Sequence, residues 1–164
     1  MMIGIFYGSS TGNTESLAKY IASKLDVAVS DIHDVSGASA DKATSYDCLL
    51  LGSSTWGLGD LQDDWYGFIE NLKKENLSGK KVGLFGCGDS ASYSDTFCDA
   101  IGMIREELAG SGCTFIGEMD ASDYPYTESK AFKGGKVLGL AADDDEPGKT
   151  DGRTEAWVTA IKSA

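Results

Sequence analysis

Seven small residues, from Gly8 to Thr14, form the stretch of this chain best suited to bind a ligand. They include four hydroxyls and two glycines that let the backbone curl with its N–H groups inward, and they carry no positive charge. Apolar residues then recur at helical spacing, so the loop lies at a helix N-terminus, where free N–H groups favour an anion. The stretch therefore predicts a cradle for a single monoester phosphate, formed by Ser9, Ser10, Thr11, Gly12, Asn13 and Thr14.

Two better-known phosphate motifs do not match this loop. A nucleotide-hydrolysing loop ends in Gly-Lys-Ser/Thr, whereas Gly12 is followed by Asn13, so no triphosphate is expected. A dinucleotide-binding loop needs glycines at the positions of Ser10 and Asn13. A solvated Ser/Thr turn after a strand is the alternative, because such turns are common.

Two further loops follow predicted strands, and each carries one aromatic residue. Residues 52–60 read GSSTWGLGD, and residues 86–99 read GCGDSASYSDTFCD. Together with GSSTGNT at residues 8–14, and in the same order along the chain, they resemble the ligand loops of the flavodoxins, small proteins that bind FMN non-covalently. The resemblance is to the longer-chain type and covers essentially the whole chain.

The resemblance implies that FMN lies between the three loops, with Trp56 and Tyr93 stacked against its ring. In flavodoxins, the peptide that corresponds to Gly57 and Leu58 turns its carbonyl toward flavin N5 on one-electron reduction. A bulkier polar residue is frequent at these two positions in the family. Because this chain differs there, the resemblance does not predict its redox potentials. The residues implied on the ring side are Ser54, Thr55, Trp56, Gly57, Leu58, Gly59, Cys87, Gly88, Asp89, Tyr93, Phe97 and Cys98.

The function implied is that of a low-potential, one-electron carrier between redox proteins. An anionic reduced flavin would face acidic and aromatic groups, with no Lys or Arg in the three loops. The alternative is an FMN-dependent NAD(P)H:quinone reductase, whose substrate would need the space over the ring that Trp56 and Tyr93 close. A phosphoacceptor signalling domain is rejected because Gly52 stands where it needs an Asp, and a ligand-binding module without redox activity is a further alternative.

The elements that must position these loops alternate between strand and helix along one domain, residues 1–164. Apolar runs predict strands at residues 3–7, 27–32, 47–51, 82–85 and 114–116, with residues 137–140 continuing the fifth strand. Helical spacing predicts amphipathic segments marked by Leu17, Trp65, Ile101 and Trp157, the third of them including Phe97. This pattern predicts a doubly wound α/β fold with a five-stranded parallel sheet of order 2-1-3-4-5, its fifth strand interrupted by an insertion.

Two polar segments are harder to assign from the sequence. Residues 119–136 form the insertion, which is either packed back on the domain or a docking surface for a partner. The acidic run at residues 143–146 is predicted to be a solvated loop without a site.

The composition limits the partners. The chain has 26 acidic and 14 basic residues, a net charge of −12, which disfavours nucleic acid and anionic membranes and fits basic redox proteins, a reductase donor and an oxidoreductase acceptor. The chain has no membrane-length apolar run and no signal sequence, so a cytoplasmic monomer is expected. The four cysteines have no CxxC spacing and there is one histidine, so neither a metal site nor a catalytic residue is predicted.

Overall fold

The computed structural model describes residues 1–56, 59–125 and 128–164. Its strands are β1 (Ile3–Gly8), β2 (Ile32–Asp34), β3 (Cys48–Trp56), β4 (Asp60–Leu61), β5 (Lys81–Gly88), β6 (Thr114–Ile116), β7 (Met119–Asp120), β8 (Phe132–Lys133), β9 (Lys136–Val137) and β10 (Leu140–Asp143). Its helices are α1 (Asn13–Leu25), α2 (Asp64–Leu72), α3 (Asp99–Leu108) and α4 (Thr150–Ser163).

Five parallel strands form the main sheet, in the order β2-β1-β3-β5-β10. Counted by themselves they have the order 2-1-3-4-5, which confirms the predicted fold class. The short strands β4 and β6 add to β3 and β5. Because the connections run in opposite directions from β1 and β3, the carboxyl ends of these two strands form the switch point where such folds bind ligands.

The sheet is buried on both faces because its central strands are apolar throughout. Leu49 and Leu51 of β3 pack in one core with the side chains of α2 and α3. Leu50 points the other way and packs in a second core with α1 and α4. This alternation follows from the two-residue period of a strand, and it fixes the helices as two layers around the sheet.

The second strand begins later than the sequence predicts. Residues 27–31 are not a strand, since Val29–Asp31 is a 3-10 turn, and β2 covers Ile32–Asp34. Asp26 adopts a left-handed conformation (φ 55°) at the end of α1, and Val29 is 84% exposed. The β-branched residues at 27 and 29 therefore favour a strand locally, but the chain first has to return from the helix to the edge of β1.

The fifth strand is split, as predicted, but its second half begins later. Thr114 pairs with Lys81 at the start of β5, and Leu140 pairs with Phe85 at the start of its second half. Residues 136–137, by contrast, belong to a separate three-stranded antiparallel sheet of order β7-β9-β8, which the insertion forms. The prediction that residues 137–140 continue the fifth strand is thus wrong except at Leu140.

The helices of the described ranges are all too short or too polar to cross a bilayer.

Candidate functional site

The three predicted loops meet at the carboxyl ends of β1, β3 and β5. A cleft of about 190 Å³ lies between them. Its lining residues are Thr11, Asn13, Ser54, Thr55, Cys87, Gly88, Asp89, Tyr93 and Asp144. Eight of these nine residues belong to the set predicted from the sequence, and Asp144 is the addition.

The first loop closes onto itself before α1 begins. The N–H of Gly12 donates to Oγ of Ser9 (3.0 Å), and Gly12 is the N-cap of α1 in a left-handed conformation (φ 95°). As a glycine, Gly12 has no side chain that could accept a hydrogen bond from the first turn of α1. The first N–H groups of the helix are therefore available to a ligand at the loop, and Thr11 and Asn13 lie beside them at the cleft.

Gln62 ties the first loop to the end of β3, a role that the sequence did not reveal. It is 2% exposed, and its side-chain Nε2 donates to Oγ of Ser10 (3.1 Å) while its backbone N–H donates to Oγ of Ser53 (3.1 Å). A methyl group on Gly8 would overlap Oε1 of this side chain. Gln62 is separated from the second loop by Leu61 alone, and a polar residue there before an amphipathic helix was the available signal.

A buried pair of hydroxyls joins the first two loops. Thr14 in the first turn of α1 is fully buried, and its Oγ1 lies 2.8 Å from Oγ of Ser54. The hydrogen bond connects elements that are 40 residues apart in sequence. Thr14 thus fixes the distance between loops instead of pointing into the cleft.

The second loop is a hairpin held at both ends. Thr55 pairs with Leu61, and Trp56 with Asp60, in the antiparallel ladder of β3 and β4. Oγ1 of Thr55 accepts a hydrogen bond from the N–H of Ala100 (3.0 Å). Gly59 has a positive φ of 105°, a conformation that favours glycine. Gly57, Leu58 and the side chain of Trp56, which the resemblance places against the flavin, lie outside the described part of the chain.

Asp89 stabilises the turn of the third loop. Its Oδ1 accepts hydrogen bonds from the N–H groups of Ala91 and Ser92, both at 3.0 Å, and its carbonyl accepts one from Tyr93 (2.9 Å). This Asx-type turn leaves Tyr93 at the cleft, with 49% of its surface exposed. An exposed aromatic ring held by a rigid turn is a suitable stacking surface for a flat ligand.

Cys87 lines the cleft as a neutral thiol. Its pKa is raised to about 12, mainly by burial; a hydrogen bond with Thr14 opposes the shift, and the charge of Asp144 adds to it. Burial also raises the pKa of Cys98 well above its ordinary value. Neither thiol is therefore ionised near neutral pH, and neither has the thiolate character of a nucleophile.

Two predicted site residues lie in the core and not at the cleft. Phe97 is fully buried, and its ring packs against those of Tyr124 and Phe132 of the insertion. Cys98 is 1% exposed and precedes α3 in a left-handed conformation (φ 53°), so α3 begins at Asp99 and does not include Phe97. The side chains of these two residues support the third loop from behind.

The acidic run is exposed at Asp144 and Asp145, as predicted for a solvated loop, but the prediction is wrong at Asp143. Asp143 is 1% exposed as the last residue of β10, and its Oδ1 accepts hydrogen bonds from the N–H groups of Ser90 and Asp145, both at 3.0 Å. Asp144 reaches the cleft near Asn13 and Asp89. Its side chain is accessible, but the surrounding protein removes part of its hydration, and this effect, with Asp89 and Asp143, raises its pKa.

A larger cavity of about 370 Å³ lies between the insertion and α4. Met119, Tyr124, Lys149 and Arg153 are among its lining residues, and the described residues that line it include none from the three loops. The guanidinium of Arg153 stacks over the ring of Tyr124 at 3.8 Å and pairs with Asp123 and Glu146. The positively charged residues that border the cavity are thus paired with acidic ones. The polar groups of the three loops meet at the smaller cleft, which is therefore the candidate site.

A doubly wound parallel sheet with three ligand loops at its switch point defines a protein that holds a small cofactor or substrate at the carboxyl ends of its strands. The flavodoxin family model matches residues 5–157. The chain belongs to the flavodoxin family.

Individual relatives match over nearly their whole length. The flavodoxin of Synechocystis sp. is 43% identical over 162 residues, which cover 98% of this chain and 95% of that protein. Flavodoxin 1 of Escherichia coli is 42% identical over 160 residues, 96% of this chain and 91% of that protein. The crystal structure of Fusobacterium nucleatum flavodoxin bound to flavin mononucleotide superimposes with a TM-score of 0.88 at 28% identity, covering 99% of this chain and 98% of that one.

Proposed function

We propose that residues 1–164 form one FMN-binding domain that carries electrons between redox proteins. The observation that supports this most directly is the meeting of a phosphate-type loop, a hairpin loop and a loop with an exposed tyrosine at one cleft. Family membership and the relatives' shared name point to the same function. FMN, when bound, supplies the redox chemistry, because its ring accepts electrons one at a time.

The first loop would hold the phosphate. The helix dipole of α1, the N–H groups of its first turn and the hydroxyls of Ser9, Ser10 and Thr11 all favour an anion at this position. Without Lys or Arg in the loop, the phosphate keeps a net negative charge, which suits one monoester and disfavours a longer phosphate chain. Gln62 positions the hydroxyl of Ser10 for this contact.

The second and third loops would hold the ring. Tyr93 offers its exposed face for stacking, and residues 87–89 offer backbone groups to the polar edge. Asn13 of the phosphate loop and Asp144 line the cleft together with the ring loops, where they can hydrogen-bond the hydroxyls of the connecting chain. The proposed contact set keeps residues 9–13, 54–59, 87–89 and Tyr93, adds Asp144, and leaves out the side chains of Thr14, Phe97 and Cys98.

Acidic groups make the site a low-potential one. Asp89 and Asp144 lie at the cleft, Asp143 is buried behind it, and the chain as a whole has a charge of −12. A second electron that leaves the flavin anionic is therefore opposed by like charges, whereas a neutral one-electron state is not. The protein is suited to passing single electrons.

The partners would be proteins with basic docking surfaces, a reductase as donor and an oxidoreductase as acceptor, because charge complementarity accelerates their encounter. The cysteines are free thiols, which fits the reducing cytoplasm.

An absorption spectrum of the purified protein tests the proposal. We expect the two visible bands of oxidised flavin, release of FMN and not FAD on denaturation, and reversible bleaching by dithionite. A protein that purifies without flavin and does not take up added FMN would contradict it. Sustained NAD(P)H consumption with a quinone and no partner protein would instead indicate a reductase.

A further inference from the structure

The first turn of α3 carries a buried carboxylate that the proposed contacts do not use. Asp99 is 4% exposed, and its Oδ1 accepts a 2.7 Å hydrogen bond from the backbone N–H of Lys130 in the insertion. Its other oxygen, Oδ2, faces the second loop, since a methyl group on Gly59 would lie 2.7 Å from it. One carboxylate thus contacts the insertion on one side and the end of the hairpin loop on the other.

The same turn of α3 also holds the beginning of that loop. The N–H of Ala100 donates to Oγ1 of Thr55 (3.0 Å), immediately before the loop. The ladder between β3 and β4 pairs Thr55 with Leu61, so the two ends of the loop are close together. Asp99 and Ala100 therefore contact a closed hairpin at its entry and at its exit.

The insertion is packed tightly against the third loop and α3, so it can hold Asp99 in place. The N–H of Glu128 donates to the carbonyl of Ser94 (3.0 Å), and the hydroxyl of Ser129 donates to the carbonyl of Phe97. A methyl group on Gly102 of α3 would overlap the carbonyl of Lys130. The N–H of Lys130 is thus held against α3 at the position where Asp99 accepts it.

Keeping a carboxylate in this place requires compensation. Burial raises the pKa of Asp99, while the N–H of Lys130 and the charge of its side chain act in the opposite direction. A position in the first turn of α3 also favours a negative charge. If Asp99 served only to stabilise the start of α3, it would not need its contacts with Gly59 and Lys130. These contacts therefore indicate a second role.

We infer that Asp99 is a positioning residue for the flavin loop, which it holds at Gly59 by linking it to Lys130 of the insertion. The inference rests on the proposed function and assigns the insertion a role as a brace. Gly59 belongs to the loop that the proposed function places against the flavin ring, so a shift at Gly59 changes how that loop meets the ring. Asp99 itself is not a ligand of the flavin in this scheme.

The test compares Asp99→Ala with Asp99→Asn, which keeps an acceptor oxygen in the same place. Thr154→Ala is the matched control, because Thr154 is also buried and polar, and its hydroxyl donates to the carbonyl of Thr150 within α4 (2.7 Å). Two quantities are measured: amide hydrogen exchange in the apoprotein, and the two one-electron potentials of the FMN-loaded protein.

For Asp99→Ala we expect the amides of Lys130 and of residues 59–61 to exchange at least about tenfold faster. The equilibrium constant for the first one-electron reduction should fall by about tenfold, which is about 59 mV. Asp99→Asn should stay within about threefold of the parent protein in both quantities. Thr154→Ala should lower stability without changing either quantity at the loop.

Unchanged exchange at residues 59–61 in Asp99→Ala would overturn the inference, and so would equal shifts in the Ala and Asn variants, which would indicate a charge effect. If Asp99→Ala does not fold, Asp99→Ser takes its place, because the shorter side chain keeps a polar group at the start of α3 without the carboxylate that reaches Lys130 and Gly59, and it must lower the first potential. A parent protein that binds no FMN would contradict the proposed function, while exchange in the apoprotein would still decide whether Asp99 holds the loop.

Discussion

Thr11 is the residue at which phosphate recognition can be separated from ring recognition. It lines the cleft and precedes the N-cap of α1. A hydrogen bond to a charged acceptor contributes about 1.5–3 kcal/mol, so Thr11→Val should raise the dissociation constant of FMN by roughly 10- to 150-fold. Riboflavin, which lacks the phosphate, should bind the variant and the parent equally.

Fluorescence titration of apoprotein with each ligand measures both constants. Ser23→Ala is the control, because Ser23 lies on α1 but its hydroxyl bonds the carbonyl of Tyr20, away from the loop. Equal losses for FMN and riboflavin in Thr11→Val would mean that the loop is not the phosphate site.

The charge of Asp144 lowers the free energy of unfolding of the apoprotein. Its pKa is raised in the folded state, so the folded protein binds more protons than the unfolded chain between the ordinary pKa near 4 and the raised value. Stability from this group is therefore lost as the pH rises through that window. Because the side chain is accessible and screened, Asp144→Asn should stabilise the apoprotein at pH 7 by only a few tenths of a kcal/mol.

Urea unfolding at pH 7 and pH 4 checks the sign. The gain of Asp144→Asn over the parent should shrink toward pH 4. A gain that is equal at both values would assign it to packing and not to charge.

At the scale of residues, the sequence predicted the site residues that a local pattern marks. It missed those whose role depends on partners distant in the sequence. The hydroxyls of the first loop and Tyr93 have a local pattern that marks them. Asp144 does not, because a run of acidic residues is usually solvated, and only the pairing of β10 with β5 brings it to the cleft. Phe97 is the converse case: its local sequence marks it for the site, but its ring is covered by the insertion, which lies much further along the chain.

At the scale of elements, the start of α1 depends on one backbone conformation. Gly12 has φ 95°, and a Cβ there would meet nothing within 4 Å, so the cost of a side chain is conformational and not steric. Gly12→Ala should therefore destabilise the apoprotein by about 1–2 kcal/mol and, because relief of that strain turns the first N–H groups of α1, weaken FMN binding further.

Gly134 supplies a matched comparison. It also has a positive φ, 60°, and a Cβ there would likewise meet nothing within 4 Å, but it lies in the turn between β8 and β9. Gly134→Ala should cost a similar free energy of unfolding in urea and leave the FMN dissociation constant unchanged. If both variants weaken FMN binding alike, the effect of Gly12→Ala comes from global stability.

The main strands and helices were predictable because their apolar residues recur at the period of the element they form. The exceptions have tertiary causes. Local β-propensity at residues 27–31 is overridden by the path from α1 to the sheet edge, and the small sheet of the insertion has two-residue strands that are too short to give a pattern. The loops at the switch point were predictable because their small, hydroxyl-bearing and glycine residues mark them in the sequence.

At the scale of the whole molecule, the net charge of −12 acts on partners before any contact forms. Electron transfer from a reductase with a basic docking surface should slow as salt is raised, since the Debye length falls from about 30 Å at 0.01 M to about 8 Å at 0.15 M. Steering of this kind changes association rates by roughly 10- to 1,000-fold, so a decrease of at least about tenfold is expected over this range.

Stopped-flow measurement of flavin reduction by the reductase gives the rates, and reoxidation of the reduced protein by an uncharged quinone is the control. The rate of the control reaction should change little, because a neutral molecule is not attracted by the field of the protein. A partner reaction that is equally insensitive to salt would contradict charge-steered docking. A rate that rises before it falls would show that the tightest low-salt complexes hold the flavin away from the partner's redox centre, so that the charge sets the encounter and shorter-range contacts set the productive orientation.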